Sequence, residues 1–145
     1  MKTEPHQEPI HLCVNSHAAA LPKVREAVRG AARAAGFDEE SVHHLILAID
    51  EAMANVIKHG YEGRSDQPVE IELRCTREAQ LVGLAVTIRD YGRQVHPDSI
   101  DGRPLNDVRP GGLGVHIIRT IMDRVTYCPA EGGGMRLEMV KFRKP

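Results

Sequence analysis

Glu51 and Asn55 stand four residues apart in the run Leu47-Ala-Ile-Asp-Glu-Ala-Met-Ala-Asn-Val-Ile-Lys-His-Gly-Tyr61. Four residues is one helical turn, so the carboxylate and the amide point the same way. An amide oxygen can ligate Mg²⁺, and a carboxylate one turn away can orient or deprotonate a hydroxyl aimed at a phosphoryl group. Downstream comes Asp90-Tyr-Gly92. A carboxylate at a strand end can accept a hydrogen bond from an exocyclic amine, and a glycine beside it lets a planar ring approach the backbone. Gly111-Gly-Leu-Gly114 then opens an amphipathic segment. Glycines before a helix offer unobstructed N–H groups and a positive helix end, the usual cradle for phosphates. Each landmark has an ordinary alternative. The helix pair can be solvated polar residues, the Asp and Gly a turn, and the glycine run a flexible loop ending in a cap.

Regular elements must position these groups. Val42, Leu45, Ile46, Ile49, Met53 and Val56 follow the rhythm of a buried helical stripe. Glu51 comes two residues after Ile49, about 200° around the helix at roughly 100° per residue, which puts the pair opposite that stripe. Asp38 is the N-cap of this helix, which runs to about His59 before Gly60 stops it. Ahead of it, Ile10 to Asn15 alternates as a strand, and Ala18 to Ala35 is one helix ended by Gly36. Val69 to Cys75 and Leu81 to Ile88 are neighbouring strands across a polar turn around Arg77 to Gln80. Gly92 to Gly112 has little periodicity and reads as a long loop, of the kind that is functional or disordered in a small domain. Val115, Ile118, Ile121 and Met122 mark a third helix. Val125 to Cys128 and Met135 to Phe142 close as a hairpin. Two helices in series and two hairpins exclude simple βαβ winding. They predict an α+β two-layer sandwich, a mixed and mainly antiparallel sheet against helices, with residues 1–145 as one domain and residues 1–9 as a frayed tip.

Composition narrows the function class. A length of 145 residues is a common single-domain size, and 41% hydrophobic with 27% charged residues is ordinary for a globular chain. The net charge of −1 argues against a nucleic-acid surface or a polybasic membrane patch. No apolar run approaches the roughly 20 residues that span a bilayer, and the start lacks a signal peptide's apolar stretch, so a cytoplasmic address is expected. Cys13, Cys75 and Cys128 are widely spaced without a C-x-x-C and read as reduced core or strand thiols. The His43-His44 doublet diverges by about 100° on a helix, with no cluster to complete a zinc site. Ser16, Ser41 and Ser99 lie in no nucleophile-elbow context.

In this order, the landmarks make the chain resemble the GHKL nucleotide-binding superfamily, of sensor histidine kinases, type II topoisomerases and heat-shock ATPase chaperones. Within it the chain is most similar to the small stand-alone bacterial anti-sigma factors that are serine-protein kinases. The likeness runs from about Ile10 to Phe142. Glu51 to Tyr61 resembles the N box, Ile88 to Gly92 the G1 box, and Gly111 to Ile118 the G2 box, with the intervening loop as ATP lid. The resemblance implies a GHKL (Bergerat) ATP-binding fold and ATP with Mg²⁺ as cofactors. Asn55 would hold the Mg²⁺, Glu51 would act as base on a serine hydroxyl, and Asp90 would bind the adenine amine with Gly92 beneath the base. Gly111, Gly112, Leu113, Gly114 and Val115 would close over the phosphates. Implied partners are an anti-sigma factor antagonist, a sigma factor or similar effector, and a second copy of the chain. That second copy is expected on the N-terminal strand and first helix, through Leu12, Val14 and Val24. Gln94 stands where the fuller G1 pattern has a second glycine, Met135 where a threonine often follows the glycine, and Arg103 and Arg109 lie in the lid. A nucleotide-gated module that binds its partner without phosphoryl transfer is the alternative.

Overall fold

The computed structural model describes residues 8–94 and 113–144; residues 95–112, the greater part of the long loop with Arg103, Arg109, Gly111 and Gly112, lie outside them, as do residues 1–7 and 145. The elements are β1 (Ile10–Asn15), α1 (Leu21–Ala34), α2 (Glu39–Asn55), β2 (Pro68–Glu78), β3 (Leu81–Asp90), α3 (Leu113–Ile121), β4 (Arg124–Pro129) and β5 (Met135–Phe142). The strands form one sheet in the order β1-β2-β3-β5-β4. Every pairing among the described residues is antiparallel, so the sheet is not mixed. The α+β sandwich and its element order are otherwise those expected from the sequence.

Period-two alternation decides which side of the sheet meets the helices. Val69, Ile71 and Leu73 of β2, Leu84, Val86 and Ile88 of β3, and Leu137 and Met139 of β5 are buried in one core. Val24 and Val28 of α1, Leu45, Ile49 and Met53 of α2, and Ile118 of α3 cover them. Asp90 continues the series Leu84, Val86, Ile88 and therefore points to the helix side, where it is 4% exposed. Arg89, one residue earlier, points to the other face.

Three boundaries and the burial of several side chains differ from the sequence reading. The first helix is a 3₁₀ turn, Ala18–Ala20, followed by α1, because Pro22 sits in the first α-helical turn, where a missing N–H costs nothing. The second α-helix stops at Asn55 and widens into a π-helical turn, Val56–Gly60, closed by Tyr61 N–H donating to Val56 O at 2.9 Å. The β2–β3 turn is tighter than expected, since the strands reach Glu78 and start again at Leu81. Val14 and Val24, expected on a dimer surface, are buried in the chain's own core. All three cysteines lie on strands and are exposed, so none is a core thiol.

Asp38 caps α2 by accepting from Ser41 N–H at 2.8 Å. That bond holds its carboxyl below the usual range. Asp38→Ala should lower unfolding free energy by about 1 kcal/mol, the usual worth of an N-cap. Ile49→Ala, from a fully buried site, should cost roughly 2–5 kcal/mol. Chemical denaturation of both variants checks the ranking.

Candidate functional site

The end of α2, the end of β3 and the start of β5 meet at one corner of the sandwich. The π-helical turn brings the carbonyl of Gly60 out of the helical ladder, where it accepts from Arg93 N–H at 2.8 Å. The buried phenol of Tyr61 donates to Pro68 O at 2.5 Å and accepts from Tyr91 N–H at 2.7 Å. Burial raises the Tyr61 phenol above its ordinary range, which keeps its proton in place for that bond. The residues flanking Gly92 are thus fixed to the end of the helix that carries Glu51 and Asn55.

Asp90 sits inside this joint. Its Oδ1 accepts from Gly92 N–H at 2.9 Å and from Met135 N–H at 3.2 Å. Both bonds land on one oxygen, and Oδ2 receives none from the described residues. Burial pushes the carboxyl up, while the two N–H bonds and the Arg89 charge draw it part of the way back. Three glycines surround it. A Cβ at Gly60 would come within 3.5 Å of the carboxylate, one at Gly92 would strike Gly60 O at 2.2 Å, and one at Gly134 would strike Asp90 O at 2.0 Å. Gly134 also has φ +75°, a conformation that favours glycine.

At the other end, Glu51 lies against the first turn of α3. A Cβ at Gly114 would meet Glu51 Oε2 at 2.6 Å. The helical wheel puts Glu51 and Asn55 opposite the core stripe, but both are half-buried because α3 packs beside α2. Val115 is buried, so its side chain serves the interior and only its backbone is left for a ligand. Leu113 opens α3, and Gly111 and Gly112 lie outside the described residues. The structure therefore brings Asp90 and Gly92 together at one end, and Glu51 and Gly114 at the other.

This arrangement fits an adenine nucleotide. One carboxylate oxygen is held by the backbone and its twin takes no bond from the described residues, as an acceptor for an exocyclic amine requires, while the place of a Cβ at Gly92 is filled by Gly60 and Tyr61. Asn55, half-buried one turn after Glu51, carries an amide oxygen of the kind that Mg²⁺ accepts as a ligand.

The chain matches the Histidine kinase-like ATPase domain over residues 14–141. It belongs to that family. It is 30% identical to the serine-protein kinase RsbW of Halalkalibacterium halodurans, over 94% of this chain and 85% of the relative. The RsbW of Listeria innocua is 29% identical over 74% of this chain and 71% of that one. The crystal structure of the RsbU and RsbW domains of Rv1364c from Mycobacterium tuberculosis shares the fold, at a TM-score of 0.66 and 16% identity, over 96% of this chain. This chain spans 34% of that longer protein.

Sequence reasoning missed the roles of Gly60, the Tyr61 hydroxyl, Arg89 and Gly134. Three consecutive glycines at positions 132–134 were the available signal for a tightly packed turn; nothing local marks the others. A separate concavity of about 900 Å³ lies on the open face of the sheet, lined by groups such as Glu72, Arg74, Thr87 and Arg124. It is across the sheet from Asp90 and is not this site.

Asp90→Asn keeps an oxygen for the two backbone N–H groups and puts an NH₂ where Oδ2 was. ATP affinity should fall at least tenfold, because two donors would then face each other. Stability should move the other way. A carboxyl whose folded pKa is raised stabilises the fold below its unfolded pKa, and that contribution is lost as pH rises through the folded value. The nucleotide-free variant should therefore melt above wild type at neutral pH, with the gain vanishing in acid. Calorimetric titration with ATP and melting curves at two pH values check both halves.

Proposed function

We propose that this chain is a Mg·ATP-dependent serine-protein kinase acting as an anti-sigma-factor-like regulator in the cytoplasm. It phosphorylates a serine on a small antagonist protein and sequesters a sigma factor or similar effector for which the antagonist competes. The observation that carries the reading is the position of the Glu51 carboxylate against Gly114, at the end of α3 where phosphates are favoured. A base there stands beside the group to be transferred. The RsbW relatives, named as serine-protein kinases, support the same reaction class. The reading takes residues 1–145 as one domain. A homodimer is the expected assembly, since an isologous two-fold contact is the commonest among soluble proteins. Among the described residues no helix is long and apolar enough to cross a membrane.

Each residue has a defined task in this scheme. Asp90 Oδ2 accepts from the adenine amine, with the ring lying beside Gly92. Asn55 would give its amide oxygen to Mg²⁺, and the cation would supply neutralisation of the phosphate charge. Backbone N–H groups of Gly111, Gly112, Leu113, Gly114 and Val115 would be the donors to the phosphates. Glu51 takes the proton of the partner's serine as its oxygen bonds to the γ-phosphorus and the bond to the ADP oxygen breaks. Positioning and charge neutralisation suffice for phosphoryl transfer, so few catalytic groups are needed.

The test is transfer of radiolabelled phosphate to the antagonist that co-purifies with the chain, with ATP affinity measured alongside. Glu51→Gln should keep ATP affinity and slow transfer by ~10² to 10⁴-fold. Asn55→Ala should weaken both. Equal transfer by wild type and Glu51→Gln would remove Glu51 as the base. A partner that binds in an ATP-dependent way yet receives no phosphate from wild type would make the chain a nucleotide-gated binding module.

A further inference from the structure

Arg89 stands inside the segment that resembles the G1 box but has been given no task there, yet several bonds at the adenine corner run through it. It projects from β3 to the face of the sheet away from Asp90 and the helices. Its Nη1 donates to Gly133 O at 2.6 Å and to Asp90 O at 3.0 Å, and its Nη2 donates to Glu131 O at 3.0 Å. The guanidinium also lies 4.2 Å from the centre of the Tyr91 ring. One side chain thus ties the β4–β5 turn to the Asp90–Tyr91 backbone.

That turn is intrinsically loose. Gly132, Gly133 and Gly134 have φ of +90°, +104° and +75°, and such a glycine run has a large conformational entropy to lose. Its internal bonds are few: Ala130 N–H to Gly134 O at 2.9 Å and Gly133 N–H to Ala130 O at 3.2 Å. Its exit matters to the site. Gly134 packs on Asp90 O, and the next residue, Met135, delivers the N–H that occupies Asp90 Oδ1. If the turn shifts, that N–H leaves, the carboxylate is free to rotate, and Oδ2 is no longer presented in one direction.

We propose that Arg89 is a positioning residue of the adenine site. It holds the glycine turn so that Met135 N–H fixes Asp90 with one oxygen free for the base. It touches no nucleotide itself. Lysine is a poor replacement, because a planar fork bonds several carbonyls while stacking on a ring and an ammonium does not. The inference rests on the nucleotide reading of the site.

The test compares Arg89→Ala, Arg89→Lys and Arg136→Ala, the last being the cross-strand neighbour of Arg89 on the same face. Affinities for ATP, ADP and AMP are measured by calorimetry, with melting curves of the nucleotide-free proteins. Arg89→Ala should weaken all three nucleotides by a common factor of about ten, since the defect lies at the base and not at the phosphates. Arg89→Lys should fall between, and Arg136→Ala should bind as wild type does. A purely structural role would lower the melting temperature and leave the affinities of the folded protein unchanged, which would overturn the proposal. So would a loss confined to ATP. If Arg89→Ala does not fold, Arg89→Lys is read by the same criteria. Wild type that binds none of the nucleotides would defeat the underlying site reading instead.

Discussion

A carboxylate taken out of water costs several kcal/mol unless charge or hydrogen bonds compensate it, and Asp90 is such a group. It has no ion-pair partner at its carboxylate among the described residues. Backbone N–H groups from Gly92 and Met135 hold it instead, and both come from segments that must be brought there by other means. Tyr61 and Gly60 bring the first, by bonding Tyr91 and Arg93. The glycine turn brings the second. The local architecture of the corner follows from keeping one buried charge half satisfied. The half left over is what makes it a candidate site.

The chain therefore gives up some stability for this group. Desolvation raises its pKa, so ionising this carboxyl costs more in the fold than in the unfolded chain. A buried apolar residue at the same register would continue Leu84, Val86 and Ile88 without that cost. Perturbed carboxylates of this kind concentrate at functional sites. Here the perturbation has a plain cause in the strand register, which turns position 90 inward.

Much of this was legible in the sequence. Strand alternation gives the sheet and its inward face, and the same alternation turns Asp90 toward the helices. The N-cap at Asp38 and the stop at Gly36 are local chemistry and stand where they were expected. What was not legible depends on distant partners. The π-helical turn after Asn55 has no sequence signal, because its worth lies in the carbonyl it offers to Arg93, which stands 33 positions beyond Gly60 in the chain. Arg89 bonds backbone carbonyls more than 40 positions away, and a carbonyl leaves no trace in residue types. Val14 and Val24 were misjudged for another reason. An alternating strand and an amphipathic helix each have a buried side, and only the packing of α1 over the sheet says which one it is.

Discrimination between purines tests the central claim most directly. The nucleotide-free protein is melted with Mg·ATP, with Mg·GTP, and with ATP in the presence of a chelator. A ligand that binds only the folded state raises the melting temperature by mass action. Asp90 Oδ2 should welcome the amino group of adenine and repel the carbonyl oxygen that guanine carries at the same position. Mg·ATP should therefore raise the midpoint, Mg·GTP should leave it where it was, and removing Mg²⁺ should diminish the ATP effect. Equal shifts with ATP and GTP, or none with ATP at millimolar concentration, would contradict the account of Asp90 as the adenine acceptor.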